Sequence, residues 1–92
     1  MNEKFSRTAL MFGEEAMERL KNSRVAVFGI GGVGGHASEA LARSGIGTLD
    51  LIDNDEVSVS NINRQLYALD STVGMAKVDA AKARIAHINP DC

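Results

Sequence analysis

Six residues, Gly29-Ile30-Gly31-Gly32-Val33-Gly34, constrain this chain more than any others. They match G-x-G-x-x-G, and their neighbours supply the context that makes such a motif meaningful. Before them, Arg24-Val25-Ala26-Val27-Phe28 is a short apolar, β-branched run that reads as a buried parallel strand. After them, Val33, Ala37, Ala40 and Leu41 recur at helical spacing, and glycine follows Ser44 as a stop. Thr48 to Asp53 reads as a second strand. Strand, turn, helix and strand fit within about 30 residues, so a parallel β-α-β unit with a right-handed crossover is expected. The fold class is α/β: a Rossmann-like parallel sheet carrying a G-x-G-G-x-G nucleotide loop.

The flanks fit that frame. Residues 1–22 read as an N-terminal helical segment and 23–92 as the start of the β-α-β fold. Ser6 to Phe12 is expected to form a turn or two of helix with Ser6 as cap, ended by Gly13. Glu14 to Lys21 forms a second stretch, acidic at its start and basic at its end, with Met17 and Leu20 as its apolar side. Beyond Asp53 comes a polar loop to Ser60, then a short helix from about Asn61 to Leu69 capped by Ser60. A last helix runs from about Met75 to Ile88, with Val78, Ala81, Ile85 and Ile88 as its stripe, and Asn89-Pro90 stops it. Because Asp91 and Cys92 stand where another strand is due, the chain reads as the N-terminal part of a larger domain.

Composition narrows the function classes. Ten Lys and Arg against 12 Asp and Glu give a net charge of −2, which excludes a polybasic nucleic-acid arm and an acidic tail. The apolar and glycine stretch from Val25 to Gly35 is too short for a bilayer, which needs about 20 residues, so no membrane contact is expected from this segment. One cysteine, Cys92, cannot form an internal disulfide, and a reducing cytoplasm is the expected compartment.

The glycines let the backbone turn sharply and let a phosphate approach a helix N-terminus, where free N–H groups and the dipole favour an anion. Asp53, 19 residues after Gly34 at the end of the second strand, stands where a carboxylate binds ribose hydroxyls. Strand, helix and acid together favour an adenine nucleotide over a turn that serves packing alone. Two cations follow. Arg64 is expected to face the same crevice, and Lys77 lies in the first turn of the next helix, so both can converge on a triphosphate. A nicotinamide cofactor needs only the helix N-terminus for its pyrophosphate. His36 reads as exposed, His87 as a helix C-terminal cation, and Cys92 as a small apolar residue.

The pattern resembles the ThiF/MoeB/HesA superfamily, relatives of the ubiquitin-activating enzymes. The resemblance rests on the Gly-x-Gly-Gly-x-Gly loop, Asp53-x-Asp55, Ser60-Asn61-x-x-Arg64-Gln65, Lys77 and the Ile88-Asn89-Pro90 ending. Within it the chain looks most like the tRNA threonylcarbamoyladenosine dehydratases, through Phe5-Ser6-Arg7-Thr8, Phe12-Gly13-Glu14-Glu15, Asn61-Ile62-Asn63-Arg64-Gln65 and Asn89-Pro90-Asp91-Cys92.

That resemblance implies ATP-dependent adenylation of a carboxylate with loss of pyrophosphate. In the dehydratase branch the carboxylate is that of threonylcarbamoyladenosine on tRNA, which then cyclises with net loss of water. It implies a nucleotide loop of Gly29, Gly31, Gly32 and Gly34, with ribose on Asp53. Ser60, Asn61 and Arg64 would line the adenylation site, and Lys77 would bind phosphates. Arg64, Lys77 and Arg7 would be the catalytic residues, Arg7 reaching into the partner's site in a homodimer. Mg²⁺ would accompany ATP, its aspartate ligand lying downstream of this chain, and no metal ligand is assigned within it. Adenylation of a ubiquitin-like sulfur-carrier protein is the alternative within the superfamily. A nicotinamide-dependent oxidoreductase fits the glycine loop and Asp53 but leaves Arg64 and Lys77 unexplained. A scaffold for a ubiquitin-like partner would have no need of those cations.

Overall fold

A computed structural model describes residues 3–92; Met1 and Asn2 of the N-terminal segment lie outside the described residues. After a single 3-10 turn, the order is α1 (Ser6–Lys21), β1 (Arg24–Phe28), α2 (Gly32–Ser44), β2 (Thr48–Ile52) and α3 (Lys77–Ile88). β1 and β2 pair in parallel, from Arg24 against Thr48 to Phe28 against Ile52. The Gly29 amide adds one further bond, to the Ile52 carbonyl at 2.8 Å. The β-α-β unit expected from the glycine run is therefore present.

α1 is two helical stretches in one, broken at Gly13, whose φ of 84° is open to glycine and costly for residues with a Cβ. The break falls where the sequence places it. Ser6 does not cap: it is the first helical residue, and no side-chain cap bond is made there. In the second stretch Met17 is buried, as its spacing predicts.

The core lies between the helices and the long β2–α3 connection. Ile30, Val57, Tyr67, Ala68, Ala80 and Ala81 form it, with Val27, Leu51, Leu66 and Val78 packed against them. α3 buries Ala80, Ala81 and Ile85, close to the expected stripe. It starts at Lys77, not Met75, because residues 74–76 are held in extended pairing with the loop after β2. Glu56 bridges Ala76, and the Val57 amide donates to the Met75 carbonyl at 2.8 Å.

Two further expectations are corrected. α2 does not bury Val33, Ala37 and Ala40: all three are exposed, Val33 at 88 %. The buried face is Gly35, Ser38 and Ala42, small residues that let α2 approach the connection closely. The helix expected over 61–69 is also absent. A single 3-10 turn, Val59–Asn61, is capped by Ser58 rather than Ser60, and turns follow it. Ser58 and Asn61 form a reciprocal box, with the Ser58 amide donating to Asn61 Oδ1 at 2.9 Å.

Glu39 joins the helices. Its carboxylate accepts from Arg43 on α2 and from Arg84 on α3. Burial alone would raise its pKa, but the bonds and charges of Arg84 and Arg43 outweigh burial and hold it below the usual carboxylate range. A carboxylate so lowered stabilises the fold fully above its unfolded pKa, and that stability is lost as pH falls through the folded value. Glu39→Gln is expected to cost about 1–2 kcal/mol near neutral pH, as a hydrogen-bonded charge pair is lost. In urea titrations of the intact protein, the gap to wild type should close on acidification. A gap that persists in acid would show that the loss is one of packing.

Candidate nucleotide-binding site

The glycine loop sits at the C-terminal edge of both strands, at the N-terminus of α2. Its shape has three separate causes. Ile30, the x of the first Gly-x-Gly, is 2 % exposed and anchors the loop in the core, a burial that contributes about 1.5–3 kcal/mol. The Ile30 amide donates to Asp53 Oδ2 at 2.7 Å, which ties the loop to the end of β2. Gly34 packs so tightly that a Cβ there would collide with the Gly29 carbonyl. Gly32, by contrast, has open space beside it, and Gly31 meets only the Gln65 side chain. The start of α2, where a helix leaves unpaired amides, thus has open space beside it, which suits an anion.

Asp53 accepts twice, from the amides of Ile30 and, at 2.7 Å, of Asp55. Its pKa lies below the usual carboxylate range chiefly because of the Ile30 bond; burial opposes this, and Asp55 and the charge of Lys77 add to it. The lone pairs left on both oxygens remain able to accept further hydrogen bonds. Lys77 opens α3, and its amide donates to the Asp55 carbonyl at 2.9 Å. That bond and the Glu56–Ala76 bridge bring α3's first turn beside the end of β2.

Arg64 is on the other flank. With Gly32, Val33, His36 and Ala37 it lines an open groove along the first turns of α2. Its guanidinium donates to the Ser60 carbonyl at 3.0 Å and to Asn63 Oδ1 at 2.8 Å, so the side chain is oriented from its own turn. Ser60 is exposed, with its hydroxyl 3.2 Å from that of Ser58. Asn61 is buried, and its side-chain oxygen is occupied in the turn. His36 is exposed, as its sequence context indicates.

Gln65, part of the motif after Arg64 but given no role from sequence, places its amide against Gly31. Its signal was present, a polar residue next to Arg64, but a helix over 61–69 would have turned it away.

Arg7 is not brought to the site. Lys4 donates to the Ile88 carbonyl at 3.2 Å, and the Phe5 ring lies against Gly45. Both contacts are at the C-terminal ends of α3 and α2. The 13 residues of α2, about 20 Å of helix, separate that end from the glycine loop. Among the described residues no carboxylate forms an ion pair with Arg7.

The ThiF family profile matches residues 5–92. The chain belongs to the ThiF family. It is 61 % identical over 92 residues to the tRNA threonylcarbamoyladenosine dehydratase of Bacillus subtilis, covering all of this chain and 36 % of that one. The crystal structure of the Escherichia coli tRNA N6-threonylcarbamoyladenosine dehydratase in complex with ATP superposes with a TM-score of 0.96. Identity there is 49 %, over 98 % of this chain and 37 % of the other. The molybdopterin-synthase adenylyltransferase of Salmonella typhimurium is 49 % identical over 79 residues, 86 % of this chain and 32 % of that protein. The chain therefore spans about a third of the length of the curated relatives it matches. The family and Rossmann-like fold expected from sequence are thereby established.

Asp53→Asn tests the loop's main tie. An amide supplies only one acceptor oxygen for two N–H donors, so one is left unpaired, at an expected cost of about 1–3 kcal/mol. Thermal melting of the intact protein should fall by several degrees. An unchanged melting temperature would show that the loop holds its shape without Asp53.

Proposed function

We propose that this chain forms the nucleotide-binding part of an enzyme that adenylates a carboxylate with ATP. The observation that carries the reading is the pair of cations flanking the glycine loop, Arg64 along α2 and Lys77 beside Asp53. The dehydratase relatives match this chain over nearly its whole length, which supports the cyclising dehydration of threonylcarbamoyladenosine in tRNA as the reaction. The adenylyltransferase relatives keep a second acceptor open, the C-terminus of a ubiquitin-like sulfur-carrier protein.

Bound ATP supplies the adenylyl group that activates the carboxylate. The chain's own residues do the rest. Amides of Gly31, Gly32 and Gly34 receive the phosphates, with Gly29 shaping the turn. Asp53, held ionised by two backbone donors, accepts the ribose hydroxyls. Lys77 neutralises phosphate charge, and Arg64 does so most strongly as charge builds on the departing pyrophosphate. Ser60 and Asn61 hold the turn that aims Arg64. Among the described residues no cluster of three or more Asp, Glu, His or Cys has metal-holding geometry, so Mg²⁺ is assigned to no residue here and to no step. Nor, among them, is any helix long and apolar enough to cross a membrane; we infer a cytoplasmic protein from the tRNA substrate proposed above.

Charge-assisted bonds to phosphate contribute roughly 1.5–3 kcal/mol each. Lys77→Ala should therefore weaken ATP binding by the intact protein about tenfold or more, and leave adenosine binding almost unchanged. Equal losses for both ligands, measured by calorimetry, would mean that Lys77 serves the fold.

Arg7 is assigned to the partner's site in a homodimer. The length of α2 keeps it from its own loop, and among the described residues no carboxylate of its own chain pairs with it. Co-refolding the Arg7→Ala and Arg64→Ala full-length proteins, each strongly impaired but with measurable residual turnover alone, should restore up to about a quarter of wild-type turnover, since half of random dimers are mixed and each has one whole site. No recovery despite demonstrated subunit exchange would place Arg7 elsewhere.

A further inference from the structure

Arg64 and Gln65 lie in a connection with no regular helix, so something outside their own turn must fix their distance from the glycine loop. Tyr67, two residues on, is the aromatic member of the buried cluster and is 3 % exposed. The ring lies against Gly35, at a distance where a Cβ on Gly35 would be in ordinary contact with it. The hydroxyl lies 2.8 Å from Ser38 Oγ, and Ser38 is fully buried. Ser38 donates its own single hydrogen to the Gly35 carbonyl at 2.9 Å. The Tyr67 hydroxyl must then be the donor, and burial raises its pKa, which keeps that proton in place. A two-bond chain thus runs from the connection, through Ser38, to the backbone of α2's first turn.

The other side of Tyr67 is held as well. Its carbonyl accepts from Thr72 Oγ1 at 2.7 Å, and Thr72 Oγ1 accepts from the Leu69 amide at 2.8 Å. The amides of Arg64 and Gln65 both donate to the Asn61 carbonyl, at 3.2 and 2.9 Å. The segment from 61 to 72 is therefore a chain of local turns, and Tyr67 bonds its side chain to the helix that begins at the glycine loop.

We propose that Tyr67 is a positioning residue: its hydroxyl bond to Ser38 sets where Arg64 and Gln65 stand against the glycine loop. The consequence for turnover rests on the adenylation reading given above; the consequence for the loop does not. A ring that only fills the core would do equally well without its hydroxyl. A ring that sets a distance would not.

Tyr67→Phe keeps the packing and removes the bond, while Ser38 keeps its bond to Gly35. In the intact protein the melting temperature should fall by no more than a few degrees. Hydrogen exchange at the Arg64 and Gln65 amides should rise about fivefold or more, with β1 and β2 unchanged. Turnover, read as ATP-dependent pyrophosphate release, should drop about tenfold while ATP affinity stays within about twofold. In an Arg64→Ala background the same change should cost less than about twofold, because the one of its two positioned residues that acts on the phosphate charge is gone.

Unchanged exchange at Arg64 and Gln65 would overturn the proposal, as would a full additional loss of turnover in the Arg64→Ala background. Absence of pyrophosphate release by wild type would instead defeat the adenylation reading, and the exchange comparison would then decide the role of Tyr67 by itself.

Discussion

The hydrogen bond from the Ile30 amide to Asp53 holds the site together. It joins the turn after β1 to the end of β2, two points that sequence separates by 23 residues. Ile30 is well placed to donate it, because its side chain is buried in the core. The loop is thus pinned from both sides, by apolar packing beneath and a charged acceptor beside it. With the backbone so fixed, the start of α2 needs little further ordering to receive an anion. Asp53 also accepts from Asp55, whose carbonyl in turn receives the Lys77 amide. One carboxylate therefore relates the glycine loop, β2 and the first turn of α3.

The opposite flank uses other means. Arg64 and Gln65 are carried by turns, and their placement relies on Asn61, Thr72 and the Tyr67–Ser38 bond. An anion at the start of α2 would meet backbone donors in the loop and, beside them, a guanidinium held from its own turn. That division suits a reaction in which charge moves during the step: the amides bind the ground state, and a positioned arginine meets the charge as it builds.

Much of this was legible in the sequence, for physical reasons. β1 and β2 are short apolar runs bounded by turn residues, and Gly13 stood where a helix had to break. Asp53 was a candidate because a carboxylate at that spacing ends the second strand beside the loop, whereas Arg64 and Lys77, each an ordinary surface cation by spacing alone, were candidates through the family motif. The face of α2 was not legible from large apolar residues. It packs through Gly35, Ser38 and Ala42, whose value is smallness, so a search for hydrophobic periodicity settled on Val33, Ala37 and Ala40 instead. The connection after β2 failed for a different reason. Ser60 looked like a cap, but Ser58 and Asn61 satisfy each other first, and the conformation beyond depends on a tertiary bond that local preference cannot see. The same bond decides where Gln65 goes.

The central claim is that two cations make this loop a site for a nucleoside triphosphate rather than for a dinucleotide. Thermal melting of the intact protein with ATP and Mg²⁺, against the same concentration of NAD, tests it most directly. Ligand at about a hundredfold over its dissociation constant stabilises by roughly 2.7 kcal/mol, which is a rise of several degrees. ATP is expected to give that rise and NAD little or none. An equal or larger rise with NAD would contradict the claim, because the pyrophosphate would then need only the loop, and Arg64 and Lys77 would have no part in choosing the ligand.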